Sequence, residues 1–245
     1  NAERFAPWLA LNHEAMSAVR GRPVQVYSAP MGNQPAWATQ WLRERDFKAY
    51  YATADNGLGP TRAFIHGEPA PASPLWTFPI SSYERVATMD DLAAQRIPEA
   101  DYARFMSELM GYTREQRVAR LTYFHAASAV VYRHTLQVIQ DRARQLRQDG
   151  RFAWYRMQDL SEFLSRREQV QWQLLADPTN GVQRLQVRSA DPHPDALARM
   201  TWLIPRQTAR QPEVIRGQAR VQADGRDWVV TALSGQQLEL QWSTP

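Results

Sequence analysis

Residues 120–130 read RLTYFHAASAV, an apolar run shaped like a buried strand that delivers one imidazole, His125, at its C-terminal tip. Small residues follow, and then a long amphipathic helix over 130–150 closed by Gly150. In parallel α/β folds the strand C-termini share one edge, and reactive groups gather there. Two readings of His125 follow: a packed, hydrogen-bonded core side chain, or an acid/base group at the mouth of an α/β barrel.

Outward from this stretch, strands and helices alternate. The runs at 23–30, 47–53 and 74–82 (PVQVYSAP, FKAYYAT and PLWTFPISS) read as three strands, 117–126 as the fourth and 152–157 (FAWYRM) as the fifth. Helical spacing marks 5–21, 34–46, 88–95, 98–113 and 157–170, with Thr88 and Pro98 as starts. Such regularity predicts parallel strands and crossover connections. Near Gln171 the apolar period switches from that of a helix to the alternation of strands, broken by the turn signals TNG, DG and SG. The expected organisation is an α/β unit over 1–170 and a small antiparallel β module over 171–245.

Bulk composition narrows the function classes. With 44% hydrophobic and 11% aromatic residues, the 245-residue chain has ample material for a core. The net charge is +4, and the basic residues are arginines apart from Lys48. They alternate with acids, as in DRARQLRQDGR, so no nucleic-acid footprint is expected. No apolar run reaches the roughly 18–20 residues of a membrane span. Lack of cysteine excludes disulfides and thiolate chemistry and is compatible with an oxidising periplasm. Because the sequence starts at Asn1 rather than methionine, a mature product or part of something longer is expected.

Each strand tip can be asked what it presents. Tyr27 and Asn33 come with the first, Asp55 and Arg62 with the second and the loop after it, Trp76 with the third, Tyr123 and His125 with the fourth. Histidine suits proton transfer near neutral pH because its unperturbed pKa is about 6.5. Asp55 could orient that imidazole or simply open the DNGLGP loop as an Asx-turn. Asp90 and Asp91 fall at a helix start, where capping and the helix dipole account for them. Ser128 reads as a cap for the next helix. His13, His66, His134 and His193 form no pair at metal-ligand spacing, and surface or satisfied polar roles suit them.

The order of these features resembles the C-terminal half of the polysaccharide deacetylase superfamily, metal-dependent carbohydrate esterases built on a deformed (β/α) barrel. YSAPMG (27–32) is similar to that family's R-x-P-x-G motif, with Ser28 where an arginine is expected, and LTYFHAAS (121–128) is similar to its last motif, a strand ending in a catalytic histidine. Members tied to exopolysaccharide export look nearest. The resemblance covers roughly residues 5–170 and implies a partial deformed (β/α) barrel followed by the β module. It implies His125 as general acid, Asp55 tuning it, and Tyr27, Asn33, Arg62, Trp76 and Tyr123 as contacts to a polysaccharide substrate. It also implies a divalent, zinc-type metal and a periplasmic or secreted location. The family's T-F-D-D strand and H-x-x-x-H metal pair have no counterpart in this chain. The expectation is therefore a part of a deacetylase that lacks the metal half of the site. Two other readings stand beside it: a non-catalytic carbohydrate-binding or scaffold protein, and a glycoside hydrolase, which needs paired carboxylates.

Overall fold

Residues 47–53 alternate poorly between polar and apolar, and their strand is buried on both faces, as a central parallel strand should be. In the computed structural model, which describes residues 2–28, 34–53, 59–65, 68–69, 75–84, 86–148, 150, 152–177 and 180–244, this strand is β2 (Ala49–Thr53). It lies between β1 (Val26–Ser28) and β6 (Trp76–Ile80), and both pair with it in parallel. β3 (Thr61–Arg62) adds an antiparallel edge to β6, and β4 (Phe64–Ile65) and β5 (Glu68–Pro69) form a separate short hairpin. The chain divides into two compact units, Asn1–Ser161 and Glu162–Pro245.

In the first unit α1 (Ala2–Arg20) and α2 (Ala36–Arg43) help cover the sheet. Trp41, Leu42, Phe47, Tyr50, Ala63 and Leu75 form a buried cluster, with Leu9 and Ala10 of α1 packed on it. His13 belongs to this packing: its Nε2 bonds the Val24 carbonyl at 3.1 Å and its ring meets Trp41 and Phe47. α3 (Met89–Ala94), α4 (Glu99–Gln116) and α5 (Arg133–Gln148) build a second core around Met89, Leu92, Tyr102, Met106 and Tyr132.

The start of α3 is set by Thr88. Its Oγ1 accepts the Asp91 N–H at 3.2 Å and donates to the Asp91 carboxylate at 2.7 Å. This is an N-cap with its own acid, and it fixes the helix turn that carries Asp90. Thr88→Ala is expected to lower stability by about 1 kcal/mol, read as a shifted midpoint at unchanged slope in urea unfolding.

Tyr102 is buried against Phe105, Tyr83 and Tyr132. Burial first, and the neighbouring Tyr132 second, push its phenol from an ordinary value of 10.0 up to about 12. An unfolded chain loses this proton near pH 10 while the native state keeps it, so the stabilisation is whole below that pH and falls as pH rises toward 12. Going from about pH 9 to about pH 12, Tyr102→Phe is expected to lose about 2 kcal/mol less stability than the parent chain. Equal alkaline losses in urea titrations of the two proteins would refute this.

Two expected strands are corrected. The run at 117–126 makes a single parallel bridge, Leu121 with Ile80, supported by the Ser81 N–H donating to the Leu121 carbonyl at 2.8 Å. That bridge sits at the last residue of β6, so the segment meets β6 only at its end and builds no ladder along it. Pro79 adds to this, because it has no N–H to give to a ladder. With no fourth strand beside it, 152–156 joins no β-ladder among the described residues, and Trp154 and Tyr155 are exposed. Ser128, expected as a helix cap, opens a short 3-10 turn, Ser128–Val130, and α5 begins at Arg133. The first unit is therefore mixed α/β with three parallel strands, and no closed barrel forms among the described residues.

The second unit begins within α6 (Met157–Glu168), several residues before the alternation starts at β7 (Val170–Asp177). β8 (Val182–Ser189), β9 (Thr201–Pro205), β10 (Glu213–Asp224) and β11 (Asp227–Ser243) complete an antiparallel sheet in the order β10-β11-β8-β7, with β9 on β11. β11 is its spine: Asp227–Thr231 pair with β9 and Gln237–Ser243 with β8, while β10 runs along the other side. Where β11 changes partner, Gly235 and, across from it, Gly217 adopt positive φ, and the register between β10 and β11 shifts. Inward residues Leu185, Val187, Val230, Leu238 and Leu240 pack with Leu197 and Met200 from the connecting segment.

Candidate functional site

Ser28 and Tyr51 face each other in register where β1 ends, and Ile80 closes β6 at the same edge. The bridge from Ile80 to Leu121 carries residues 122–125 across that edge. This is how Tyr123 and His125 reach the C-terminal end of the parallel strands without belonging to one. The rings of Tyr51 and Tyr123 lie 4.9 Å apart, and His125 meets Tyr123 edge-on at 5.2 Å.

His125 is not a core residue, since 56% of its side chain is exposed. Its Nδ1 is held by the Asp90 carboxylate from the first turn of α3. A carboxylate accepts only, so the bonded nitrogen carries the proton and Nε2 is the nitrogen Asp90 does not hold. Such a carboxylate fixes both the orientation and the tautomer of the ring. Beside it, the Tyr123 phenol is pushed above its ordinary value, by burial first and then by its hydrogen bond to Tyr51; a bond from Ser28 pulls the other way and the Asp90 charge adds to the rise. Tyr27 is raised as well, by burial and by Tyr51. Both phenols therefore stay protonated at neutral pH, and Tyr123, whose one O–H is directed to Tyr51, offers its oxygen as an acceptor.

The expected constellation is only partly assembled. Tyr123 and His125 lie together at this edge, whereas Tyr27 is in register with Tyr50, one residue out of phase with Ser28 and Tyr51, and packs with Tyr50, Trp41 and Leu42 in the core beneath α1 and α2. Asn33 and Asp55 lie outside the described residues. Trp76 is a correction: it opens β6 opposite Ala49 instead of ending it, four residues of strand from the edge where His125 lies. At about 3.3 Å per residue, that is roughly 13 Å away. Arg62 is drawn to the same far end, pairing with Trp76 in the ladder and stacking its guanidinium 4.1 Å over the buried indole. These two form a cation–π closure of the sheet's other end, which separates them from the imidazole.

The sequence reading did not single out Tyr51, took Asp90 only as a helix-start acid, and noted Ser28 only as standing where an arginine is expected. Asp90 carried a usable signal. The TMDD start holds two acids but its threonine needs only one, and Asp91 takes that place. The other acid was therefore available for a distant partner. Among the described residues no group of three or more histidine, aspartate and glutamate side chains converges, so they do not fit a divalent-metal site by themselves. Comparison of the chain with family models, with curated proteins and with solved structures gave no match.

Proposed function

We propose that this chain is the proton-delivering part of a carbohydrate deacetylase acting on N- or O-acetyl groups of a polysaccharide in the periplasm or outside the cell. The observation that carries the reading is the His125–Asp90 pair, standing exposed at the C-terminal edge of the parallel strands beside the Tyr123 phenol. An imidazolium held at Nδ1 presents an Nε2–H to the departing amine or alkoxide of an acetyl-transfer intermediate and returns to the neutral ring. Tyr123, its O–H directed to Tyr51, would accept a hydrogen bond from a substrate hydroxyl next to it. The barrel architecture expected for such an enzyme would be partial here, with the metal ligands upstream, and no step assigned to this chain passes through the metal.

This reading is preferred to glycoside hydrolysis on geometric grounds. Glycosidases set two carboxyl groups across a cleft, whereas Asp90 faces an imidazole. The test is acetate release from acetylated hexosamine polymers, measured for the full-length gene product with a divalent metal and for the 245-residue chain alone. Release by the former and none by the latter is expected. A folded full-length protein that frees no acetate, or turnover by the isolated chain that depends on His125, would overturn the assignment.

A further inference from the structure

A second surface, confined to the C-terminal unit, has chemistry of its own. Strand alternation sends Leu185, Val187, Leu238 and Leu240 into the core, so their neighbours stand on the opposite face. Register places those neighbours in rows across the strands. Gln171, Arg188 and Gln237 make one row, and Gln173, Gln186, Glu239 and Arg216 the next. Together they line a shallow groove of about 470 Å³. β10 is irregular here: Gly217 has φ +86°, and a Cβ on it would lie 2.4 Å from the Gln237 carbonyl oxygen. Bulges of this kind bend a strand and re-aim a side chain. The side chain beside this one is Arg216.

We propose that this face binds an acidic polysaccharide, its carboxylates taken by Arg188 and Arg216 and its hydroxyls by the glutamine rows. The charges are unbalanced in the required sense. The single carboxylate, Glu239, is engaged by Arg184 at 3.2 Å, and Arg184 also donates to Gln241 at 3.0 Å. Neither Arg188 nor Arg216 has a carboxylate partner among the described residues. A guanidinium fork matches a carboxylate with two parallel hydrogen bonds. The primary amides both donate and accept, which suits hydroxyls, themselves donors and acceptors. Strands spaced at about 4.8 Å repeat these groups at regular intervals, as an extended sugar chain repeats its own. Trp172 lines the same groove and is exposed, so a stacking face stands beside the charges, and nucleic-acid binding is an outcome that the test below separates from polysaccharide binding.

The test does not depend on acetate release and so separates this inference from the activity proposed for the first unit. The intact chain is run by affinity electrophoresis through gels containing alginate, a polyuronate, or dextran, a neutral glucan, and is titrated against double-stranded DNA. Retardation by alginate, but by neither dextran nor DNA, is expected. Arg188→Gln combined with Arg216→Gln should weaken alginate binding about tenfold or more, with an unchanged circular dichroism spectrum. Gln186→Ala, which keeps both charges, should weaken it by a smaller factor. Absence of alginate binding, equal binding to DNA or dextran, or full binding by the double variant would each overturn the proposal.

Discussion

In the full-length gene product, His125→Ala is expected to slow acetate release by about 10²–10⁴-fold, the range spanned by a positioned general acid. On the proposed reading the substitution removes the group that would return a proton to the leaving atom, while the segment that carries it keeps its bridge to Ile80. Because the imidazole is exposed, folding stability should change by no more than about 0.5 kcal/mol. Asp90→Asn tests the second half of the argument. The amide retains the shape but no longer supplies a charged acceptor for Nδ1–H, and about tenfold or more should be lost. A large drop in thermal midpoint with unchanged activity per folded molecule would instead make His125 a structural residue. A fully active Asp90→Asn would show that the pair is ornamental to the chemistry.

In the second unit, Leu240→Ala should cost about 3–5 kcal/mol. Leu240 is fully buried, pairs across the sheet with Leu185 and Val214, and belongs to the cluster of Leu238, Val230 and Trp242. Its removal loses apolar contact and leaves a cavity that strands on either side hold open, because neither can shift without breaking its ladder. Urea unfolding followed by tryptophan fluorescence measures this, since Trp202, Trp228 and Trp242 all pack on that core. A loss below about 1 kcal/mol would mean that the site collapses on itself and that the cluster is loosely packed.

The helices were legible because their signals are local. Thr88 announces its own cap, Pro98 precedes α4, and the switch to alternation appears where β7 begins. The strands at 117–126 and 152–157 were misread because a strand is a relation between two segments. Apolar and aromatic residues look alike whether or not a neighbour lies within reach, and here β6 ends too soon to supply one. Trp76 was assigned to the wrong end of its strand for a related reason: composition marks a strand's extent loosely, and register with Ala49 decides which residue opens it. At the candidate site, His125 and Tyr123 were singled out as the tip of a strand that does not form, and the partnership of His125 with Asp90 spans 35 residues, so no local pattern encodes it.

β11 joins three other strands, β8, β9 and β10, and it is synthesised after all of them. On a ribosome, the earlier strands must wait with unpaired edges and uncovered leucines until β11 has emerged. Only the hairpin of β7 and β8 can close beforehand. A stop codon anywhere before Asp227 would thus release a chain whose C-terminal strands have lost their common neighbour, a substrate for proteases and chaperones rather than a shortened domain.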